Sequence, residues 1–209
     1  SAIYIILMID NYKIYRLWTY IVSIILILLL FNFYPTSKQR IIDQTLNDLK
    51  KNETNQIYIF SKPHNDMYTA AYRMFLDNKL FGVGPRQFRN ECKNYPVSEY
   101  SCETHPHNTY LELLSEAGIF AFLVVASLFL YLSFISFKHF FFKFIKKKKG
   151  YLDDFQICLL SAVLISLWPL SPSGSFFNNW MSIVYFIPVG IMLWRFDVKK
   201  SKIKDNMKI

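Results

Sequence analysis

The segment Thr104–Gly118, THPHNTYLELLSEAG, gathers the side chains of this chain best suited to acid–base chemistry. His105 and His107 flank a proline, and the next residue, Asn108, is of a type preferred as a helix cap. If Asn108 or Thr109 caps a helix here, His107 lies among unpaired backbone N–H groups, where the helix dipole disfavours the imidazolium form. A neutral imidazole can accept a proton, and the same helix end attracts phosphate. These residues suggest base-assisted transfer from a pyrophosphate donor to a hydroxyl; the alternative is that both histidines only bond to the loop backbone.

Glu112 and Glu116 follow on the same predicted helix, one turn apart. Paired carboxylates perform acid–base catalysis in glycoside hydrolases. Like charges at this spacing are more typical of a solvent-exposed helix face, and this is the interpretation that the residues alone favour.

The composition indicates that these residues lie in a membrane protein. Hydrophobic residues make up 53% of the chain and aromatic residues 18%, which is unusual for a soluble domain. Four segments are transmembrane candidates: Leu17–Tyr34, Ala117–Phe137, Phe155–Leu170 and Trp180–Phe196. Because a span needs about 20 residues, the third candidate is short and is expected to extend at one end. We therefore predict an all-α, polytopic integral membrane protein with a helical periplasmic loop.

The distribution of charge predicts the orientation. The stretch 35–116 contains ten basic and ten acidic residues, whereas the loop 138–154 and the tail 195–209 each contain six basic and two acidic residues. The positive-inside rule then places 35–116 outside the cytoplasm and the Lys-rich loop and C-terminal tail inside it. We interpret the run Lys146–Lys149 as a topology signal and not as a nucleic-acid or specific lipid site.

The start of the chain predicts a larger protein. The apolar residues Ser1–Ile9 would reach only about 13 Å as a helix, and they lack the basic residues of a signal peptide. We expect them to end a transmembrane helix that begins before Ser1. The predicted organisation is the end of one helix and a complete span in 1–34, the periplasmic loop in 35–116, and three transmembrane helices in 117–209.

The outer stretch of about 80 residues is long for a connection, and long ordered loops are usually functional. Apolar spacing predicts an amphipathic helix over Lys38–Lys51, a polar turn over Lys50–Thr54 and a second helix over Pro63–Asn78. Gly82-Val-Gly84-Pro85 is then a turn. It is not a dinucleotide fingerprint, because the third glycine and the βαβ context are absent.

Cys92 and Cys102 both lie in the outer stretch, where an oxidising compartment favours a disulfide. A zinc site formed with His105 and His107 fits less well, because the cysteines are widely spaced and Pro106 stiffens the histidine segment. Free thiols are the third possibility. We predict the disulfide and no metal.

The sequence from His64 to Phe122 resembles the O-antigen ligase and polymerase superfamily. Two motifs carry the resemblance: LFGVGPRQF matches an outward Pro/Leu-x-Gly-x-Gly-x-x-x-Phe turn, and HPHNTYLELLSEAGIFAF matches a His-x-His-Asn-x-Tyr/Phe-Leu helix that leads into a span. The segment SPSGSFFNNW before the last span also fits. Glu116-Ala117-Gly118 matches the family's junction between this helix and the span, which implies a structural role for Glu116. The resemblance implies a metal-independent glycosyltransferase without cofactor in the bacterial inner membrane, active in the biosynthesis of lipopolysaccharide or another surface polysaccharide.

The partners implied are an undecaprenyl-pyrophosphate-linked glycan as donor and lipid A-core or a growing polysaccharide as acceptor, in a membrane and without nucleic acid. Ligases and polymerases share these motifs. The family's essential histidine matches His107, as the base that deprotonates the acceptor hydroxyl. His105 and Asn108 beside it are predicted to contact substrate.

The resemblance also implies arginines that hold the pyrophosphate, as a bidentate guanidinium suits. Arg73, Arg86 and Arg89 are the candidates here, and each would otherwise be a solvated surface charge. Where many members have an arginine, this chain has His64, which is a further phosphate-binding candidate. Another family arginine would precede Ser1, so we expect this polypeptide alone to be inactive.

A transporter or carrier subunit with a gating outer loop is the alternative from a different class. Transporters usually place ionisable groups near the bilayer midplane. The four predicted spans carry almost none. This favours chemistry at the membrane surface over transport through it.

Overall fold

The computed structural model describes residues 2–9, 11–33, 39, 60–148 and 150–206, and within these ranges it contains helices and no strand. The helices are α1 (Ala2–Met8), α2 (Lys13–Phe33), α3 (Lys62–Asp77), α4 (Phe88–Glu91), α5 (Thr109–Glu112), α6 (Gly118–Phe140), α7 (Asp154–Ser166) and α8 (Asn179–Asn206). A 3₁₀ turn, Cys92–Asn94, extends α4, and π turns follow α5 (Leu113–Ala117) and α6 (Phe141–Ile145). The all-α prediction is confirmed, whereas the predicted helix Lys38–Lys51 and turn Lys50–Thr54 lie outside the described residues.

Two helical stretches in the described ranges are long and apolar enough to cross a membrane. They are Ile14–Phe33, with 20 residues and none buried in the most apolar window, and the run Thr109–Ile145, with 37 residues. The last predicted span, Trp180–Phe196, lies within the 28 residues of α8. By contrast α7 has only 13 residues and does not extend the third candidate as expected. It is about 20 Å long, shorter than a hydrocarbon core of about 30 Å.

Helices α1, α6, α7 and α8 share an apolar core. Each contributes a side chain with at most 5% exposure: Met8 from α1, Leu132 from α6, Leu160 from α7 and Met192 from α8. Helix α7 contacts the other three. Its start is fixed by a capping box, in which Asp153 accepts from the Gln156 amide and the Gln156 side chain accepts from the Asp153 amide.

Residues 60–108 lie in the predicted periplasmic loop and are called the outer segment below. Their backbone contacts the π turn and the start of α6 directly. The amides of Val83 and Gly84 donate to the carbonyls of Ser115 and Glu116, each over 2.9 Å, and the Ile119 amide donates to the Lys79 carbonyl. Ser115 and Glu116 lie in the π turn, so their carbonyls are available to a partner outside the helix.

Glycines permit this close approach. Gly82 and Gly118 have positive φ angles of 64° and 77°. A Cβ atom on Gly82 would overlap the Glu116 carbonyl group, and one on Gly118 would overlap the Leu80 carbonyl group. The Gly-x-Gly turn predicted from the sequence is therefore a packing surface for the π turn.

A small second core supports the outer segment. Ala71 and Met74 of α3 pack against Phe88 and Cys92, and all four side chains are fully buried. Cys92 forms a disulfide with Cys102, with Cα atoms 5.2 Å apart, as predicted. The bond engages both sulfurs, so the zinc site that needed both thiolates is not formed.

Candidate functional site

Asn108 begins helix α5 and thereby sets the position of His107. Its Oδ1 atom accepts hydrogen bonds from the amides of Tyr110 (3.0 Å) and Leu111 (3.1 Å), which is the predicted N-cap arrangement. Its Nδ2 atom donates to the Pro169 carbonyl at 2.8 Å. The side chain is 5% exposed, so the contacts of Asn108 here are structural.

Three histidine rings meet beside this cap. The ring centroids of His105 and His107 are 4.1 Å apart, and His64, from the first turn of α3, brings its ring centroid within 5.7 Å of His107. The Nδ1 atom of His64 is 2.7 Å from the Ser61 hydroxyl, and the Nδ1 atom of His105 is 2.9 Å from the Thr104 hydroxyl. The structure thus brings together all three histidines that the sequence analysis singled out.

Electrostatics favour a neutral state for two of these rings. Burial lowers the pKa of His64 below its ordinary value, and a positive charge on His107 lowers it further, against the opposing effect of Glu103. Burial and the same charge also lower the pKa of His105. The Glu103 carboxylate lies 3.5 Å from Nε2 of His107.

The backbone of His107 has an unusual conformation. Its φ angle is +54°, in the left-handed region that non-glycine residues rarely adopt. Its carbonyl accepts a hydrogen bond from the Ser173 amide at 2.9 Å. Such strain persists only where surrounding contacts impose it, and it is frequent at functional sites.

The loop between α7 and α8 supplies those contacts. The Ser173 carbonyl lies 3.3 Å from Nε2 of His105, and the Thr109 hydroxyl donates to the Ser173 hydroxyl at 3.0 Å. The Tyr110 hydroxyl donates to the Leu167 carbonyl at 2.7 Å. These contacts from the loop were not predicted residue by residue. The sequence signal for them was the resemblance of the segment SPSGSFFNNW to the superfamily considered in the sequence analysis.

Glu112 and Glu116 do not form a solvent-exposed face, and that prediction is wrong. Both are fully buried. Glu112 accepts from the Ser175 hydroxyl (2.6 Å) and the Phe176 amide (2.8 Å). Glu116 accepts from the amides of Arg86 and Phe88, the latter at 2.8 Å. Loop hydroxyl and amide donors replace water around each carboxylate, so burial is tolerated. The structural role expected for Glu116 at the junction agrees with these contacts.

The three arginine candidates have different surroundings. Arg73 of α3 donates to the Pro96 carbonyl at 3.2 Å. Arg86 and Arg89 have exposed side chains, and both lie near enough to Glu116 to influence it electrostatically. Arg89 also acts electrostatically on His105. Among the three, Arg89 is thus the one with an electrostatic link to a histidine of the cluster, and the phosphate contacts of all three stay predictions.

The described residues contain no group of three or more His, Cys, Asp or Glu side chains arranged to hold a metal ion.

Comparison with known proteins places this site in a family. A family model described as O-antigen ligase matches residues 1–126, which is more than half of the chain. The teichuronic acid biosynthesis protein TuaE of Bacillus subtilis (strain 168) is 28% identical over 108 residues, which cover 52% of this chain. The match spans only 22% of that relative's length. The histidines, the glycine turn, Glu112 and Glu116 lie inside the family match, whereas the loop around Ser173 lies outside it.

Proposed function

The chain belongs to the O-antigen ligase family, and on that basis we propose that it is part of a membrane enzyme that transfers a glycan from a lipid-linked donor to an acceptor hydroxyl. The donor proposed is a glycan on undecaprenyl pyrophosphate. The similarity to a teichuronic acid biosynthesis protein supports a role in making a polysaccharide. The site would face the periplasmic side of the bacterial inner membrane.

The observation that carries this proposal is the position of His107. Its ring lies at the capped start of α5, next to two other histidines, with Glu103 3.5 Å from Nε2 and 31% of the side chain exposed. A general base needs both access to substrate and a partner that stabilises its protonated form. His107 has both.

In the proposed reaction, Nε2 of His107 takes the proton of the acceptor hydroxyl. The acceptor oxygen then forms a bond to the anomeric carbon of the glycan. The bond from that carbon to the pyrophosphate oxygen breaks, and undecaprenyl pyrophosphate leaves with the electron pair. Glu103 stabilises the imidazolium that results, because an opposite charge close to a protonated base favours the charged form.

Arg86 and Arg89 are the proposed partners of the pyrophosphate. Both side chains are exposed in the turn and short helix that precede the disulfide. Guanidinium groups suit phosphate oxygens because they donate bidentate, charge-assisted hydrogen bonds. Arg73 has a carbonyl partner in the outer segment and is the weaker candidate. His64 and His105, whose pKa values are lowered, would act as neutral hydrogen-bonding partners of substrate.

The acceptor decides whether the enzyme is a ligase or a polymerase. Lipid A-core would make it a ligase, and a growing polysaccharide would make it a polymerase. The transfer is proposed to need no cofactor or metal. Incubation with EDTA should therefore leave the rate unchanged, and loss of transfer would contradict that part of the proposal.

The decisive experiment replaces His107 in the full-length protein. His107→Ala should reduce glycan transfer from an undecaprenyl-pyrophosphate-linked oligosaccharide by at least about 100-fold, the range typical for loss of a general base. Glu99→Gln, which removes an exposed carboxylate from the same outer segment, is the matched control. Transfer retained by His107→Ala in correctly inserted protein would refute the assignment and favour the transporter alternative.

A further inference from the structure

Two candidate residues of the site share a strained backbone. Among residues 60–145, all of which the structure describes, Arg86 and His107 are the non-glycine residues with positive φ, at 64° and 54°. The left-handed region is unfavourable for a non-glycine residue, so neighbouring contacts must hold it. The contacts that hold these two backbones involve the buried side chains of Glu112 and Glu116.

Glu116 holds Arg86 directly. One carboxylate oxygen accepts from the Arg86 amide and the other accepts from the Phe88 amide, where helix α4 begins. The turn 82–84 behind these residues is bonded to the backbone of Ser115 and Glu116. One side chain thus fixes the start of the short segment from which the Arg86 and Arg89 side chains project.

Glu112 holds His107 through the loop between α7 and α8. Its two oxygens accept from the Ser175 hydroxyl and the Phe176 amide. Two residues earlier in that loop, the Ser173 amide donates to the His107 carbonyl, and the Ser173 carbonyl faces Nε2 of His105. The loop is therefore tied to α5 at one end and to the histidine segment at the other.

We propose that Glu112 and Glu116 are positioning residues with separate tasks: Glu112 holds the loop that fixes His107 for proton transfer, and Glu116 holds the turn that presents Arg86 and Arg89 to the pyrophosphate. This proposal rests on the proposed function of the site. In this proposal the loop around Ser173, which lies outside the family match, helps to hold the three clustered histidines in place. Because the two glutamates act on different groups, their loss should alter different kinetic constants.

The donors around the two carboxylates also differ. Both partners of Glu116 are backbone N–H groups, which can only donate, so the amide nitrogen of a glutamine would face a second donor. One partner of Glu112 is the Ser175 hydroxyl, which can reverse its role and accept from a glutamine amide. Glutamine should thus replace Glu112 but not Glu116.

The test measures transfer by the full-length protein at varied donor concentration. Glu112→Ala should lower kcat at least about tenfold, because small displacements of a catalytic group are costly, and should leave the donor KM nearly unchanged. Glu112→Gln should restore most of kcat. Glu116→Gln should instead raise both the donor KM and the Kd for undecaprenyl pyrophosphate at least about fivefold, because the phosphate-binding groups are displaced.

Two measurements guard against loss of folding. Size-exclusion elution and the absence of maleimide-reactive Cys92 and Cys102 report an intact outer segment. If Glu112→Ala fails these checks, Ser175→Ala removes one of the two donors to Glu112 and should lower kcat in the same direction. The rate at which diethyl pyrocarbonate modifies His107 supplies a readout independent of activity, and it should change in Glu112→Ala and not in Glu116→Gln.

The outcomes separate the two proposals. Equal effects of both glutamate variants on kcat and KM, or a parent-like Glu116→Gln, would overturn the division of tasks even if His107→Ala abolishes transfer. Transfer retained by His107→Ala would refute the proposed function. In that case the Kd for undecaprenyl pyrophosphate would still show whether Glu116 positions the two arginines. The rate of His107 modification would still show whether Glu112 positions His107.

Discussion

The ring centroids of His64 and His107 lie 5.7 Å apart, although His64 belongs to the first turn of α3 and His107 to the loop before α5. Two separate elements of the outer segment therefore meet at the candidate base. The contact joins two of the residues that the resemblance singled out, the phosphate-binding candidate His64 and the candidate base His107.

We predict that His64→Ala lowers glycan transfer about tenfold, which corresponds to losing one hydrogen bond to a charged substrate group. The effect should appear in the donor KM, because His64 is expected to contact phosphate. Lys62→Ala, an exposed change in the same first turn, is the control. A parent-like KM for His64→Ala would remove His64 from the substrate site.

Titration of His64 and His105 should lower the stability of the outer segment as the pH drops below the ordinary histidine pKa of about 6.5. The folded-state pKa values of His64 and His105 are lowered, chiefly by burial, so the unfolded chain binds more protons in this range. The contribution of these two histidines to the free energy of unfolding therefore rises with pH through the window that ends near the unfolded value. Thermal unfolding of the full-length protein between pH 5 and pH 8 measures this slope.

His105→Gln is the matching variant for that experiment. It removes one of the two groups with a lowered pKa and should flatten the dependence on pH, while the change at pH 8 stays small. An unchanged slope in this variant would show that other groups control the acid sensitivity.

Removal of the disulfide should destabilise the protein by about 2–3 kcal/mol, in line with closure of a short loop. Cys92→Ser and Cys102→Ser should have similar effects, and the double variant should add little to either. Chemical denaturation of the three variants in detergent gives the comparison. Additive losses in the double variant would mean that the two cysteines contribute independently of their bond.

Replacing glycines by alanine should distinguish positions of close backbone packing from positions where only helix propensity affects the free energy of unfolding. Gly82→Ala and Gly118→Ala combine positive φ with overlap of backbone groups, so each should cost at least about 2 kcal/mol of unfolding free energy. Gly190→Ala in α8 meets nothing within 4 Å and should be neutral or slightly stabilising. Similar losses at all three positions would argue against the backbone contact between the glycine turn and the π turn.

Local signals in the sequence were sufficient for the elements that carry the histidines. Asn108 was a recognisable cap, the apolar spacing in Pro63–Asn78 marked α3, and two cysteines in an outward stretch indicated their disulfide. Each of these features depends on residue type, spacing or the predicted compartment. The membrane sidedness of the loops still rests on the charge pattern alone.

The features that were not predicted from the sequence depend on contacts between distant segments. The burial of Glu112 depends on Ser175 and Phe176, and that of Glu116 depends on Arg86 and Phe88. Helical spacing alone describes an exposed pair of charges. By contrast, α7 ends at Ser166, three residues before Pro169, which lacks a backbone donor and disfavours helical backbone at the residue before it.

The disulfide also bears on how this protein can vary in length. Cys92 and Cys102 close a loop whose ends are held together by the bond itself and whose residues Glu99 and Tyr100 are exposed. Insertions beside Glu99 and Tyr100 can therefore lengthen this loop and leave the three clustered histidines in place. By contrast, one added residue between Gly82 and Gly84 would shift the amides bonded to Ser115 and Glu116. Natural homologues should accordingly differ in loop length after α4 and keep a fixed length in the glycine turn.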